Sequence, residues 1–195
     1  MKAICVSEFG GPEVLKLEDM PEVRRQQLES FGCAPTLLSA ALRQFPGKKA
    51  WLYKPSADRW SIHEIILHLA DSEVSVYICS RHFVAKLESS VLKFDPAHWA
   101  GSPGYSHQSS HDALEIIRCL RKATYQMLVL LPESVWENSV EHSEDGRLSL
   151  AQWIEIQERH IPHHIDQMKR NYDTYSGRWG TKLGTLSNTA CATAC

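Results

Sequence analysis

From about position 23 onward, apolar residues recur at helical rather than strand spacing. Leu28, Phe31, Leu37, Leu38, Ala41, Leu42 and Phe45 pair at three- and four-residue spacings (28/31, 37/41, 38/42, 41/45, 42/45) and predict a first helix over 23–45. Gly32 and Pro35 lie inside that span and predict a kink or a break near its start, since proline removes a backbone donor. A second helix opens at Ser61, which has Glu64 three residues on to complete a capping box and Trp60 before it to pack as a staple. Its stripe is Ile62, Ile65, Ile66, Leu69, Val76, Phe83 and Leu87, interrupted by Ser72 and Ser80. A third helix over 111–131 turns Leu114, Ile117, Leu120, Leu128 and Leu131 inward and stops at Pro132. A fourth begins near Ser149 and reaches about Tyr172, with Leu150, Trp153, Ile154, Ile161, Ile165 and Met168 as its apolar positions.

The links between these segments set the architecture. "FDPAHWAGSPGYSHQSS" is too long for a turn and reads as a crossover between the second and third helices, while Asp145-Gly146 between alternating flanks is a hairpin signal. The expected fold is therefore all-α: a four-helix bundle with a long crossover between helices 2 and 3 and a short β-hairpin before helix 4. Residues 1–22 alternate in strand fashion around Gly10-Gly11 and fit nothing downstream, so they are expected to be an appendage, strand-like or disordered. The bundle is expected over 23–175, and 176–195 as a flexible C-terminal tail. The opening segment resembles the N-terminal strands of zinc-type alcohol dehydrogenases and quinone oxidoreductases. No glycine-rich dinucleotide fingerprint follows it, so no oxidoreductase function is attached.

Composition narrows the partners more than the chemistry. A chain of 195 residues with 43% apolar and 23% charged residues suits one globular domain, and a formal net charge of -2 gives no electrostatic reason to expect nucleic acid. No run approaches the roughly 20 apolar residues of a membrane span, and no secretory leader is visible, so a cytoplasmic protein without membrane contact is expected. The six cysteines, Cys5, Cys33, Cys79, Cys119, Cys191 and Cys195, form no CxxC pair, and reduced thiols are the simplest expectation.

The candidate chemistry lies in "RHIPHHIDQ", residues 159–167. Continuing the helix-4 stripe through its apolar gap lands on Gln157, His160 and His164. At about 100° per residue, His160 and His164 stand about 40° apart around the axis and one turn apart along it, the H-x3-H arrangement that presents two imidazoles to one metal. His163 falls at the edge of the stripe and is left out of the ligand set. On helix 2 the same geometry turns His68 inward, whereas His63 is rotated about 140° from it. Two readings stay open: each histidine hydrogen-bonds a neighbour in the core, or all three share an ion that supplies the partner three buried imidazoles lack. Pro162 deprives the carbonyl of Glu158 of its helical partner, either as a tolerated kink or as a device that sets the angle between His160 and His164. Glu64, Asp71 and Gln167 stand close enough in sequence to orient a ligand or move a proton, or they are simply solvated. His82, His98, His107, His111 and His142 sit at helix edges or in loops and are expected to be exposed.

"WSIHEIILHLADSE" and "RHIPHHID", with "VYICSRHFVAKLES", "PAHW" and "EHSEDGRLSL", resemble segments of the DinB-like superfamily in its YfiT-type branch of metal-dependent hydrolases and thiol S-transferases. The likeness spans about residues 50–172. It implies a divalent ion, nickel or zinc, on His68, His160 and His164, activating a thiol or water for attack on an electrophilic small molecule. It also implies a low-molecular-weight thiol as co-substrate and a homodimer. The third helix, "EIIRCLRKATYQ", departs from the histidine, arginine and tryptophan cluster of that branch, so substrate identity does not carry over. The alternative is a non-catalytic, stress-related bundle whose ion is structural.

Overall fold

Ser61 caps the second bundle helix as its sequence predicts. Its hydroxyl accepts from the amide of Glu64, and the Glu64 carboxylate accepts from the Ser61 amide at 2.8 Å, closing the capping box. The computed structural model of the chain describes residues 2–6, 15–86, 95–142 and 146–179. Over these the elements run β1 (Lys2–Val6), β2 (Leu15–Asp19), α1 (Glu22–Leu42), α2 (Lys48–Leu52), α3 (Ile62–Ala85), α4 (Pro96–Ala100), α5 (Ser110–Leu128), β3 (Ser139–His142), β4 (Gly146–Ser149) and α6 (Leu150–Trp179).

The bundle consists of α1, α3, α5 and α6, with α1 and α3 each packed on both α5 and α6. The crossover between α3 and α5 holds the short α4 and a 3-10 turn at Tyr105–His107. The strands β3 and β4 pair antiparallel, Ser139 opposite Ser149, immediately before α6, so the predicted hairpin is present. A second capping box then starts α6, in which Ser149 and Gln152 exchange bonds at 2.9 and 3.2 Å. β1 and β2 pair antiparallel, Lys2 opposite Asp19. Gly10, Gly11, Leu87, Asp145, Cys191, Cys195 and the tail from 180 onward lie outside the described residues. Among the described residues no helix is long and apolar enough to cross a membrane.

Three expectations change. α1 is one helix through Gly32 and Pro35; a Cβ on Gly32 would stand 2.9 Å from the Tyr125 ring, so the glycine permits close packing of α5 rather than a break. α6 runs past Tyr172 to Trp179, because Tyr172 and Ser176 continue its buried stripe and hold the helix through Gly177. Cys33 is disulfide-bonded, whereas Cys79 and Cys119 are free thiols, so the expectation of uniformly reduced cysteines fails at Cys33; linear spacing does not say which thiols meet in space.

The apolar interior has two halves. One gathers Ala34, Leu38, Ile65, Leu69, Ile117, Ile161 and Met168, the other Leu28, Phe31, Val76, Phe83, Leu128, Trp136, Trp153 and Ile154. In sequence the switch falls at 31–34 on α1, 70–76 on α3, 117–128 on α5 and 154–161 on α6. A layer of buried polar residues occupies this switch: Ser72, Glu73, Arg121, Thr124 and Gln157.

Candidate metal centre

His68 comes from the second turn of α3, and His160 and His164 from successive turns of α6. The stripes that carry them are otherwise apolar, so burial of those faces takes the imidazoles inside with them: His68 and His164 are buried and His160 is half-buried. Their Nε2 atoms converge. His164 Nε2 lies 3.1 Å from His68 Nε2 and 3.1 Å from His160 Nε2, and one ring nitrogen from each histidine lies within 4.8 Å of the others. The rings meet edge to face, as side chains do when their nitrogens rather than their faces approach one point.

Those separations suit a metal. Ligand nitrogens about 2.0–2.1 Å from one ion stand about 3.0 Å apart at octahedral right angles and about 3.4 Å apart at tetrahedral ones. The donor chemistry suits it as well, because neutral imidazole binds zinc, nickel, copper and iron. Burial, aided by the neighbouring histidine charge, pulls His68 down to about 3. Burial likewise pulls His160 to about 3, with His164, His68 and the Arg121 guanidinium adding to the effect. His164 is brought to about 4 by burial, against the opposing pull of its bond to Gln167. All three rings are therefore neutral at physiological pH, each with a lone pair to give.

One contact fixes a tautomer. His164 Nδ1 donates to Gln167 Oε1 at 2.8 Å, which leaves its Nε2 as the lone-pair atom facing the other two rings. His160 has no such helper: its Nδ1 is buried without a hydrogen-bond partner among the described residues. Trp60, predicted as a staple, lays its ring over His68 with centroids 4.7 Å apart, and its carbonyl is held by Asn171 Nδ2 at 2.8 Å.

The remaining candidates go elsewhere. Glu64 gives its carboxylate to the capping box and to Lys54 Nζ at 3.0 Å. Asp71 accepts from Tyr105 Oη at 2.8 Å and lines a cavity of about 310 Å³ between α3 and α5, and burial pushes its carboxyl up. Gln167 alone of the three candidates binds a ring of the cluster. His63, on another face of α3, is satisfied by Ser110 Oγ and by the Ser106 carbonyl. His98, His107, His111 and His163 are exposed, His82 is half-buried, and the His142 side chain lies outside the described residues.

Two buried residues escaped the sequence reading. Glu73 and Arg121 are fully buried and form a forked ion pair, with Arg121 Nε 3.0 and 3.1 Å from the two carboxylate oxygens and Nη2 closing on Oε1. The signal was available, since stepping Leu69 to Val76 by helical spacing crosses Glu73, and stepping Ile117 to Leu128 crosses Arg121 and Thr124.

Known proteins resemble this chain in sequence and in fold. The family model of the DinB superfamily matches residues 33–168. A protein of Oceanobacillus iheyensis named "Putative metal-dependent hydrolase OB0782" is 27% identical over 106 residues, 54% of this chain and 61% of the relative, so the chain spans less than two thirds of that curated relative's length. The solved structure of YfiT from Bacillus subtilis, described as "a probable metal-dependent hydrolase with an unusual four-helix bundle topology", superposes with a TM-score of 0.73. That match covers 92% of this chain and 98% of the other at 16% identity, a likeness of fold. The bundle, its three converging histidines and a family match over well more than half of the sequence lead to one assignment: the chain belongs to the DinB superfamily.

Proposed function

We propose that the protein is a metal-dependent enzyme of the DinB type, in which His68, His160 and His164 hold a divalent ion, nickel or zinc. The observation that carries this reading is the convergence of three neutral imidazoles, with His164 Nε2 at 3.1 Å from each of the other two. The names given to the Oceanobacillus and Bacillus proteins support it. An ion on three histidines keeps at least one position for an exchangeable ligand, and it supplies Lewis acidity that makes a thiol or water a nucleophile near neutral pH. The chain's own residues supply the rest. Gln167 orients His164, and Trp60 packs its ring against His68.

The expected substrate is an electrophilic small molecule, attacked by a low-molecular-weight thiol or by water. Metal analysis after extensive dialysis tests the site: nickel or zinc is expected in the wild type and lost in His160→Ala. A metal-free wild type, or metal unchanged in the variant, sinks the reading. Thiol-dependent consumption of an epoxide or chlorinated aromatic, abolished in His68→Ala, assigns group transfer. Turnover of an ester or amide without thiol assigns hydrolysis, and metal binding without either leaves a non-catalytic bundle.

A further inference from the structure

Ligating histidines are usually held in place by a hydrogen bond to the nitrogen that does not face the metal. His164 has that bond, to Gln167; His160 has none among the described residues, and its Nδ1 is buried without a partner there. The orientation of His160 therefore depends on where its turn of α6 is placed. That turn lacks a helical hydrogen bond, because Pro162 has no amide to give to the carbonyl of Glu158.

At the adjoining carbonyl another helix intervenes. Arg121 Nη1, from α5, donates to the carbonyl of Gln157 at 3.3 Å, three residues and about 4.5 Å of helix rise before His160. The same guanidinium is gripped by Glu73, five residues after His68 on α3, and lies 4.0 Å over the ring of Phe31 on α1. One buried side chain of α5 thus contacts the other three bundle helices, next to the ligand cluster. It bonds to the two helices that carry the histidines, α3 through Glu73 and α6 through the Gln157 carbonyl.

We infer that Arg121, anchored by Glu73, is a positioning residue for the three-histidine site: it fixes the α6 turn that bears His160 against the α3 segment that bears His68. The inference rests on the metal reading above. An ion needs its ligand atoms within a few tenths of an ångström of their places. A strut between the two ligand-bearing helices supplies that constraint where a side-chain partner for His160 is missing.

Cobalt(II) binding to the full chain tests this, read both as a dissociation constant and as the visible d–d spectrum, which reports ligand geometry independently of turnover. Arg121→Lys keeps a charge opposite Glu73 but loses the planar fork that serves Glu73 and Gln157 together. It is expected to weaken cobalt about 10–100-fold, as loss of groups that orient ligands does, and to alter the d–d bands. Phe83→Leu, about 22 Å along α3 from His68, serves as a control that lowers stability without touching the strut. Its affinity and spectrum are expected to match the wild type. If Arg121→Lys does not fold, the Glu73→Met/Arg121→Met double variant, which replaces the pair with apolar chains, is read the same way. Wild-type affinity and spectrum in the strut variant overturn the inference and leave the metal site standing, as does a control that changes as much as the variant. A wild type that binds no cobalt overturns the metal reading and the strut with it.

Discussion

The histidine cluster, on α3 and α6, and the Glu73–Arg121 pair, on α3 and α5, are both polar groups buried in the same bundle, yet they are completed differently. Arg121 gives Nε and Nη2 to Glu73, gives Nη1 to the Gln157 carbonyl and rests its face on Phe31. The charges cancel and the polar atoms of the fork are engaged. The imidazoles instead crowd three neutral rings together, with two Nε2 atoms both directed at the lone pair of His164 Nε2. One cluster is complete within the chain. The other has a geometry that makes full sense with a cation at its centre. Buried polarity alone does not mark a site; the donor and acceptor balance does.

Acid should separate the two most strongly. The unfolded chain takes up protons on these histidines below their ordinary value of 6.5, whereas the folded cluster resists them down to about 3 for His68 and His160 and about 4 for His164. The unfolded state then binds more protons throughout that window, so stability is full above 6.5 and is lost progressively as pH falls through it. Denaturant unfolding of the metal-free protein at a series of pH values measures this, and His160→Ala should flatten the slope. A slope unchanged by that substitution would mean the cluster is not what titrates.

Breaking the ion pair comes next in size. Glu73→Ala leaves a buried guanidinium uncompensated and should cost about 3–5 kcal/mol, whereas the Glu73→Met/Arg121→Met double variant should lie close to the wild type in stability. Equal losses in the two would show that the pair is not a self-contained unit. Gln167→Leu should have the smallest effect on folding and act on the other cluster, weakening metal binding about 10–100-fold through the loss of His164 orientation. Calorimetric titration with zinc decides it, and unchanged affinity would remove Gln167 from the site.

Much of this was legible in the sequence because helical periodicity is a strong local signal. The cap at Ser61, the start of α6 near Ser149, the inward turn of His68, His160 and His164, and the crossover length all follow from spacing and turn chemistry. The same reasoning failed where it treated residue type as a proxy for location. Glu73 and Arg121 were passed over as charged, although their positions continue the apolar stripes. Gly32 was taken for a breaker, although its missing side chain makes room for Tyr125. For Glu64 and Asp71 the sequence left open whether they serve the site or solvent; the structure engages their carboxylates with Lys54 and the capping box and with Tyr105.

The sequence by itself determined which faces of α3 and α6 turn inward, because one helical turn repeats every few residues and burial follows the apolar majority. Which histidine of α3 meets which turn of α6, whether their nitrogens converge, and what Arg121 grips depend on the relative height and rotation of separate helices. Local spacing carries no information about that offset; only the packing of the two apolar halves around the Glu73–Arg121 layer sets it.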